Sequence, residues 1–188
     1  KKNLFVVIAV PYQVLADQWV NVMENYGITA IRCYKSKSQW KVKLSDEVSD
    51  ALISQAPRFL SVVVVNATLG NQEFQEQLSR IPRSELMFIG DECHHHSTDE
   101  LGRKLPDARY RLGLSATPWT SSDPQEKKQN LANYYGSIVA SYQLNDAMYD
   151  GVLTPYQYHI HQVSLTEEEV ENYDWLSQKI SGLVAAQE

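Results

Sequence analysis

Cysteine is scarce in this chain: two residues, Cys33 and Cys93, occur among 188, and neither belongs to a Cys-x-x-Cys pair. That excludes a disulfide framework, makes a structural zinc site unexpected and favours a reducing cytosolic setting. Long apolar runs are also missing. The longest near the start, Leu4 to Val10, is far too short to span a bilayer, and no cleavage-site pattern follows it, so neither a membrane segment nor a signal peptide is expected. Nor is there an excess of positive charge: 17 Lys and Arg stand against 23 Asp and Glu, a net charge of −6. A domain that grips nucleic acid through a broad basic surface is excluded, and any such contact must be local. The one basic cluster is Arg32-Cys-Tyr-Lys35-Ser-Lys37-Ser-Gln-Trp40-Lys41-Val-Lys43. Either its Tyr34 and Trp40 stack on bases, or the stretch is a solvated loop around a packed tryptophan.

What is present is enough apolar material, 43% of residues, for the core of one ordinary domain with an appendage. Short runs rich in β-branched residues recur at Leu4–Val10, Ile28–Tyr34, Ser61–Val65, Leu86–Gly90 and Arg111–Leu114, which reads as buried strands. Between the first two, Tyr12–Tyr26 places Val14, Leu15, Trp19, Val22 and Met23 on one helical face, with Gly27 as a stop. A second helix is expected over Ser45–Gln55, with Asp46 and Glu47 in its first turn. Strands alternating with helices predict parallel βαβ units, an α/β sheet covered on both faces. Further on, Tyr135–Tyr142 has a strand pattern, Gln143–Asp150 a short helix pattern, and Tyr156–Leu165 alternates like an extended strand. Thr166-Glu-Glu-Glu169 forms a capping box. The helix it opens carries one apolar stripe, Val170, Tyr173, Leu176, Ile180 and Leu183, which needs something to pack on.

The segment Leu86-Met-Phe-Ile-Gly-Asp91-Glu92-Cys93-His94 delivers two adjacent carboxylates from the carboxyl end of an apolar strand, the edge of an open α/β sheet where ligands bind. In that position the first carboxylate, Asp91, can hold Mg²⁺ through water, and the second, Glu92, can orient or deprotonate the water attacking a γ-phosphate. Cys93-His94-His95-His96 also carries good transition-metal ligands, although consecutive residues rarely all face one ion.

Asp91-Glu92-Cys93-His94 resembles motif II of the superfamily 2 DExH-box helicases. Leu112-Gly-Leu-Ser115-Ala116-Thr117-Pro118 resembles their motif III, 24 positions on from Asp91 to Ser115. Val10-Pro11-Tyr12-Gln13-Val14-Leu15-Ala-Asp-Gln18-Trp19 resembles motif Ia, with Tyr12 where the family usually has threonine. Val65-Asn66-Ala67-Thr68 falls where the next nucleic-acid motif belongs. The likeness runs on through Tyr135-Gly136 and Tyr142 to Tyr156, and comes nearest to the DNA-directed branch with XPB-like repair helicases and restriction-enzyme translocases. It implies a RecA-like first motor domain over 1–155, and over 156–188 a connecting strand and helix toward a second RecA-like domain. It also implies ATP and Mg²⁺ as cofactors, Asp91 and Glu92 as the catalytic pair, and His94, Ser115, Ala116 and Thr117 as coupling residues. Pro11, Tyr12, Gln13, Asn66 and Thr68 would be nucleic-acid contacts, with duplex DNA the partner.

A phosphate-binding loop needs glycines followed by Lys and Ser or Thr, and the chain contains no Gly-Lys dipeptide. That motif is expected just upstream of Lys1, and the arginine-bearing motif beyond Glu188. Phosphoryl transfer depends almost wholly on positioning and charge stabilisation, so this polypeptide alone is expected to be inactive, within a parent that hydrolyses ATP to unwind or to move along DNA in the cytoplasm, or in the nucleoid of a bacterium. A domain that kept the fold but only docks nucleic acid or protein is the other reading. The exposed stripe of the last helix would favour dimers.

Overall fold

The computed structural model describes residues 3–185, the side chains of Asp99 and of residues 183–185 excepted. Five strands, β1 (Leu4–Val10), β2 (Ala30–Cys33), β3 (Phe59–Val65), β4 (Leu86–Asp91) and β5 (Tyr110–Leu114), form one sheet in the order β2-β3-β1-β4-β5, and every pairing is parallel. The helices are α1 (Gln13–Asn25), α2 (Lys37–Ile53), α3 (Asn66–Leu69), α4 (Gln72–Ser79), α5 (Asp99–Gly102), α6 (Gln125–Tyr135), α7 (Leu144–Tyr149) and α8 (Glu167–Ala185).

Parallel strands buried on both faces read as continuous apolar runs, and β1 is central for that reason. Its Phe5, Val7 and Ala9 pack on one face with Trp40, Leu44, Val48 and Ala51 of α2 and with Phe74 and Leu78 of α4. Its Val6, Ile8 and Val10 pack on the other with Ala16, Val20 and Met23 of α1. Each fully buried Val, Leu or Phe contributes about 1.5–3 kcal/mol by leaving water, so these two clusters define the sheet. Their consequence is an edge. Because β2, β3, β1, β4 and β5 run the same way, their carboxyl ends bring Tyr34, Asn66, Pro11, Asp91 and Ser115 to one side of the sheet, in that order.

Four sequence expectations need correction. α2 begins at Lys37 rather than Ser45, because Trp40, Leu44, Val48 and Ala51 form one buried helical stripe that starts inside the basic stretch. That stretch is therefore mostly helix, not loop. Its two aromatics are core residues: Trp40 is buried with its ring edge-on to Phe74 at 5.9 Å, and the buried Tyr34 donates its hydroxyl to Asp17 Oδ1 at 2.7 Å. Tyr135 ends α6, with Gly136 in the left-handed region at φ 88°, so residues 135–142 form no strand. Residues 156–165 are extended in sequence pattern but have no neighbouring strand to complete their backbone hydrogen bonds, and they form no ladder.

The chain divides into two compact units, Lys1–Val139 and Ala140–Glu188. In the second, Gln143 and Asp146 cap α7 reciprocally. The Thr166 amide donates to Glu169 Oε2 at 2.8 Å, and the Glu169 amide donates back to Thr166 Oγ1 at 3.3 Å. Val170, Tyr173, Leu176 and Ile180 are exposed along α8, and the side chain of Leu183, the stripe's fifth position, lies outside the described residues. No helix among the described residues is long and apolar enough to cross a membrane.

Candidate active site

β4 ends on Asp91, and the next residue, Glu92, is the one non-glycine described residue in the left-handed region, at φ 48° and ψ 48°. L-residues pay roughly 1–2 kcal/mol for that conformation, and such strain gathers at functional sites. Its effect is to turn the chain sharply into the short 3-10 helix Cys93–Ser97. Both Asp91 oxygens are engaged: Oδ2 accepts from the Trp19 indole nitrogen at 2.7 Å, and Oδ1 accepts from the Glu92 amide at 3.1 Å. Each keeps a second lone pair.

Glu92 Oε2 lies 3.3 Å from His94 Nδ1, and the same nitrogen lies 3.1 Å from Ser115 Oγ. A carboxylate only accepts, so the Glu92 contact calls for a proton on Nδ1; toward Ser115 either the imidazole or the hydroxyl can donate, according to the tautomer. The structure thus brings Asp91, Glu92, His94 and Ser115 into one connected group, spanning the ends of β4 and β5. Ala116 and Thr117 follow in the exposed loop beyond and do not enter it.

The expected nucleic-acid residues are arranged differently. Pro11 closes β1, and the exposed Tyr12 precedes α1 with its ring edge-on to His95 at 6.2 Å. The Gln13 side-chain nitrogen donates to the Tyr34 carbonyl at 3.3 Å. Asn66 faces inward enough for its Oδ1 to meet His96 Nε2 at 3.2 Å, while Thr68 is half-buried in α3.

His96, Tyr135, Gly90 and Gly113 are participants that the motifs did not reveal. His96 is 1% exposed. Asn66 Oδ1 can only accept, so Nε2–H donates to it and Nδ1 accepts from the Tyr135 hydroxyl at 2.6 Å. Burial foremost, then the neighbouring His95 and His94, holds the His96 pKa down to about 4, and burial pushes the Tyr135 phenol far above its ordinary range. The two rings stack 6.1 Å apart over paired glycines, Gly90 and Gly113. A Cβ at Gly90 would collide with the Tyr135 hydroxyl and come within 2.7 Å of the imidazole; one at Gly113 would lie 3.0 Å from both Cys93 Sγ and the Tyr135 ring. Glycine inside an apolar strand is the sequence signal of such close approach. Cys93 is buried there, and its thiol is pushed up to about 11 by burial first. The run Cys93-His94-His95-His96 thus splits in two: Cys93 and His96 turn inward to Tyr135, while the His94 and His95 rings lie against each other 4.3 Å apart on the other side.

Among the described residues no group of three or more His, Cys, Asp or Glu side chains is placed to hold a metal ion. A pair of carboxylates at a strand end does not make a protein cage. It does fit a magnesium ion that keeps its waters and takes further ligands from a nucleotide's phosphates.

Comparison with known proteins bears on the family and the fold. The family model described as SWI2/SNF2 ATPase matches residues 1–188, and the chain belongs to that family. Its parallel sheet is the RecA-like α/β fold of a superfamily 2 helicase motor domain. Among solved structures, it is similar to a nuclease-deletion mutant of the Type ISP restriction-modification enzyme LlaGI in complex with a DNA substrate mimic, with a TM-score of 0.61 and 16% identity over 84% of this chain. The chain spans 14% of that enzyme's length. No curated protein matches it.

Proposed function

We propose that this chain is the catalytic-carboxylate portion of the first motor domain of an ATP-dependent DNA helicase or translocase, with residues 1–155 in that domain and 156–188 leading to a second RecA-like domain. The observation that carries the reading is the continuous contact from Glu92 through His94 to Ser115. It begins at a backbone position whose left-handed φ is hard to explain in a domain that only docks partners.

Asp91 would help to hold Mg²⁺, its carboxylate plane being set by the Trp19 and Glu92 N–H donors. Bound magnesium and ATP supply the charge neutralisation on the transferred phosphoryl group and the phosphoryl group itself. Glu92 accepts a hydrogen bond from the attacking water, in the manner of a positioned general base. His94, holding Glu92 and Ser115 at once, ties the carboxylate to the loop of Ser115, Ala116 and Thr117, the side from which a second domain would act. Pro11, Tyr12 and the free amides of α1's first turn face a nucleic-acid backbone; the neighbour's bound DNA substrate mimic favours DNA, and the motif likeness to the DNA-directed branch favours a duplex. Thr68 contributes at the same edge. Asn66 supports it from beneath through His96. The exposed stripe of α8 is where the second domain, or a second copy of this chain, packs. The working place is the cytoplasm, or the nucleoid in a bacterium.

The test is ATP hydrolysis by the full-length protein with and without duplex DNA, beside Glu92→Gln and this polypeptide alone. DNA-stimulated turnover that vanishes in the variant and in the polypeptide supports the motor. Activity surviving Glu92→Gln, or none in the parent, moves the reading to a docking module.

A further inference from the structure

Trp19 and Asp91 stand 72 positions apart in sequence, yet the indole N–H reaches the carboxylate at 2.7 Å. Trp19 lies on α1, whose first residue, Gln13, follows the Pro11-Tyr12 turn at the end of β1. That helix is tied at several points. Gln13 donates to the Tyr34 carbonyl, Asp17 accepts from the Tyr34 hydroxyl at 2.7 Å, and Ala16 and Val20 are buried against the sheet. These ties pack α1 against β1, β2 and β3, and a close-packed helix passes a shift at its first turn along to Trp19. The Tyr12 ring against His95 is a second link from the same turn to the segment just after Glu92.

We propose that Trp19 is a positioning residue: through its indole N–H it sets the orientation of the Asp91 carboxylate, and through α1 it makes that orientation depend on what the Pro11–Gln13 turn binds. This rests on the motor reading, in which Asp91 holds magnesium and the turn meets a DNA backbone. A hydrogen bond to an ionised acceptor is short and strong relative to a neutral one, and outer partners of metal-holding carboxylates typically change metal affinity by 10- to 100-fold when removed. With Oδ1 held only by the neighbouring Glu92 amide, loss of the indole donor leaves the carboxylate free to rotate about χ2. A phosphate that shifts the first turn of α1 would carry the indole with it.

The experiment uses the full-length protein and three variants: Trp19→Phe, which keeps an aromatic ring but removes the donor; Val20→Ala, which weakens the same helix packing but leaves the indole; and Glu92→Gln. Two readouts are taken, the Mg²⁺ dependence of binding a fluorescent non-hydrolysable ATP analogue, and the ratio of ATPase rates with and without duplex DNA. The expected result is that Trp19→Phe raises the half-saturating Mg²⁺ concentration about 10-fold and lowers the DNA-stimulation ratio, while Val20→Ala lowers thermal stability and moves neither. Wild-type-like Mg²⁺ dependence and stimulation in Trp19→Phe would overturn the proposal, as would equal shifts in Val20→Ala, which would reduce the tryptophan to packing. A wild-type protein with no DNA-stimulated turnover, or an active Glu92→Gln, would instead defeat the motor reading beneath it.

Discussion

His94 holds Glu92 and Ser115 with one nitrogen: Nδ1 is 3.3 Å from the carboxylate and 3.1 Å from the hydroxyl. Ser115→Ala removes one of those contacts and leaves the other. A net hydrogen bond is worth about 0.5–1.5 kcal/mol, so the DNA-stimulated ATPase rate of the full-length protein should fall roughly 2- to 10-fold. His94→Ala severs both contacts and should cost more. Steady-state hydrolysis with saturating ATP and duplex DNA checks the ranking, and a Ser115→Ala loss larger than that of His94→Ala would contradict it.

Gly90 should tolerate no side chain. An added Cβ meets the Tyr135 hydroxyl and the His96 ring on a fully packed face, and overpacking of this kind costs about 1–3 kcal/mol or more. Tyr135→Phe removes the first obstacle. Gly90→Ala should consequently be less harmful in the Tyr135→Phe background, with a coupling on the order of 1 kcal/mol in a denaturant-unfolding double-mutant cycle.

Trp40 separates the two readings of the basic stretch. Buried edge-on to Phe74, it should behave as core, so Trp40→Ala should destabilise the protein by about 3–5 kcal/mol. The nearby Lys37 and Lys41 both reach the one Glu73 carboxylate, which neutralises part of the local positive charge. DNA affinity of the folded fraction, measured by fluorescence anisotropy, should be unchanged; a selective loss of affinity would restore the stacking reading.

How much of this was legible follows from the range of the interactions concerned. β1 was readable to the residue because a strand buried on both faces must be apolar throughout, and Leu4–Val10 is. Thr166 and Glu169 were readable because a capping box is local. The start of α2 was misplaced although Trp40, Leu44, Val48 and Ala51 carry a helical period, since lysines between them looked like loop. Residues 156–165 misled because alternation describes a half-buried strand only when a partner strand exists. The carboxylate pair was visible as a motif, whereas Trp19 against Asp91 and Asn66 against His96 join positions 72 and 30 apart. Only the folded sheet, with β1 between β3 and β4, brings those pairs together.

His96 should make stability depend on acid. Its ordinary pKa is 6.5, and in the folded protein burial first, then the adjacent histidines, lowers it to about 4. Between those values the unfolded chain binds a proton that the folded one refuses, so stability rises with pH across the window. The contribution is fully present above about pH 6.5 and is lost as pH falls toward 4, below which both states are protonated and no further change comes from this residue. A shift of this size corresponds to roughly 3 kcal/mol. Unfolding free energies measured by urea denaturation between pH 7.5 and 4 should show this loss. In His96→Gln, less stable at neutral pH, the slope between pH 6.5 and 4 should be shallower by about that amount; an unaltered slope would assign the acid sensitivity to other groups.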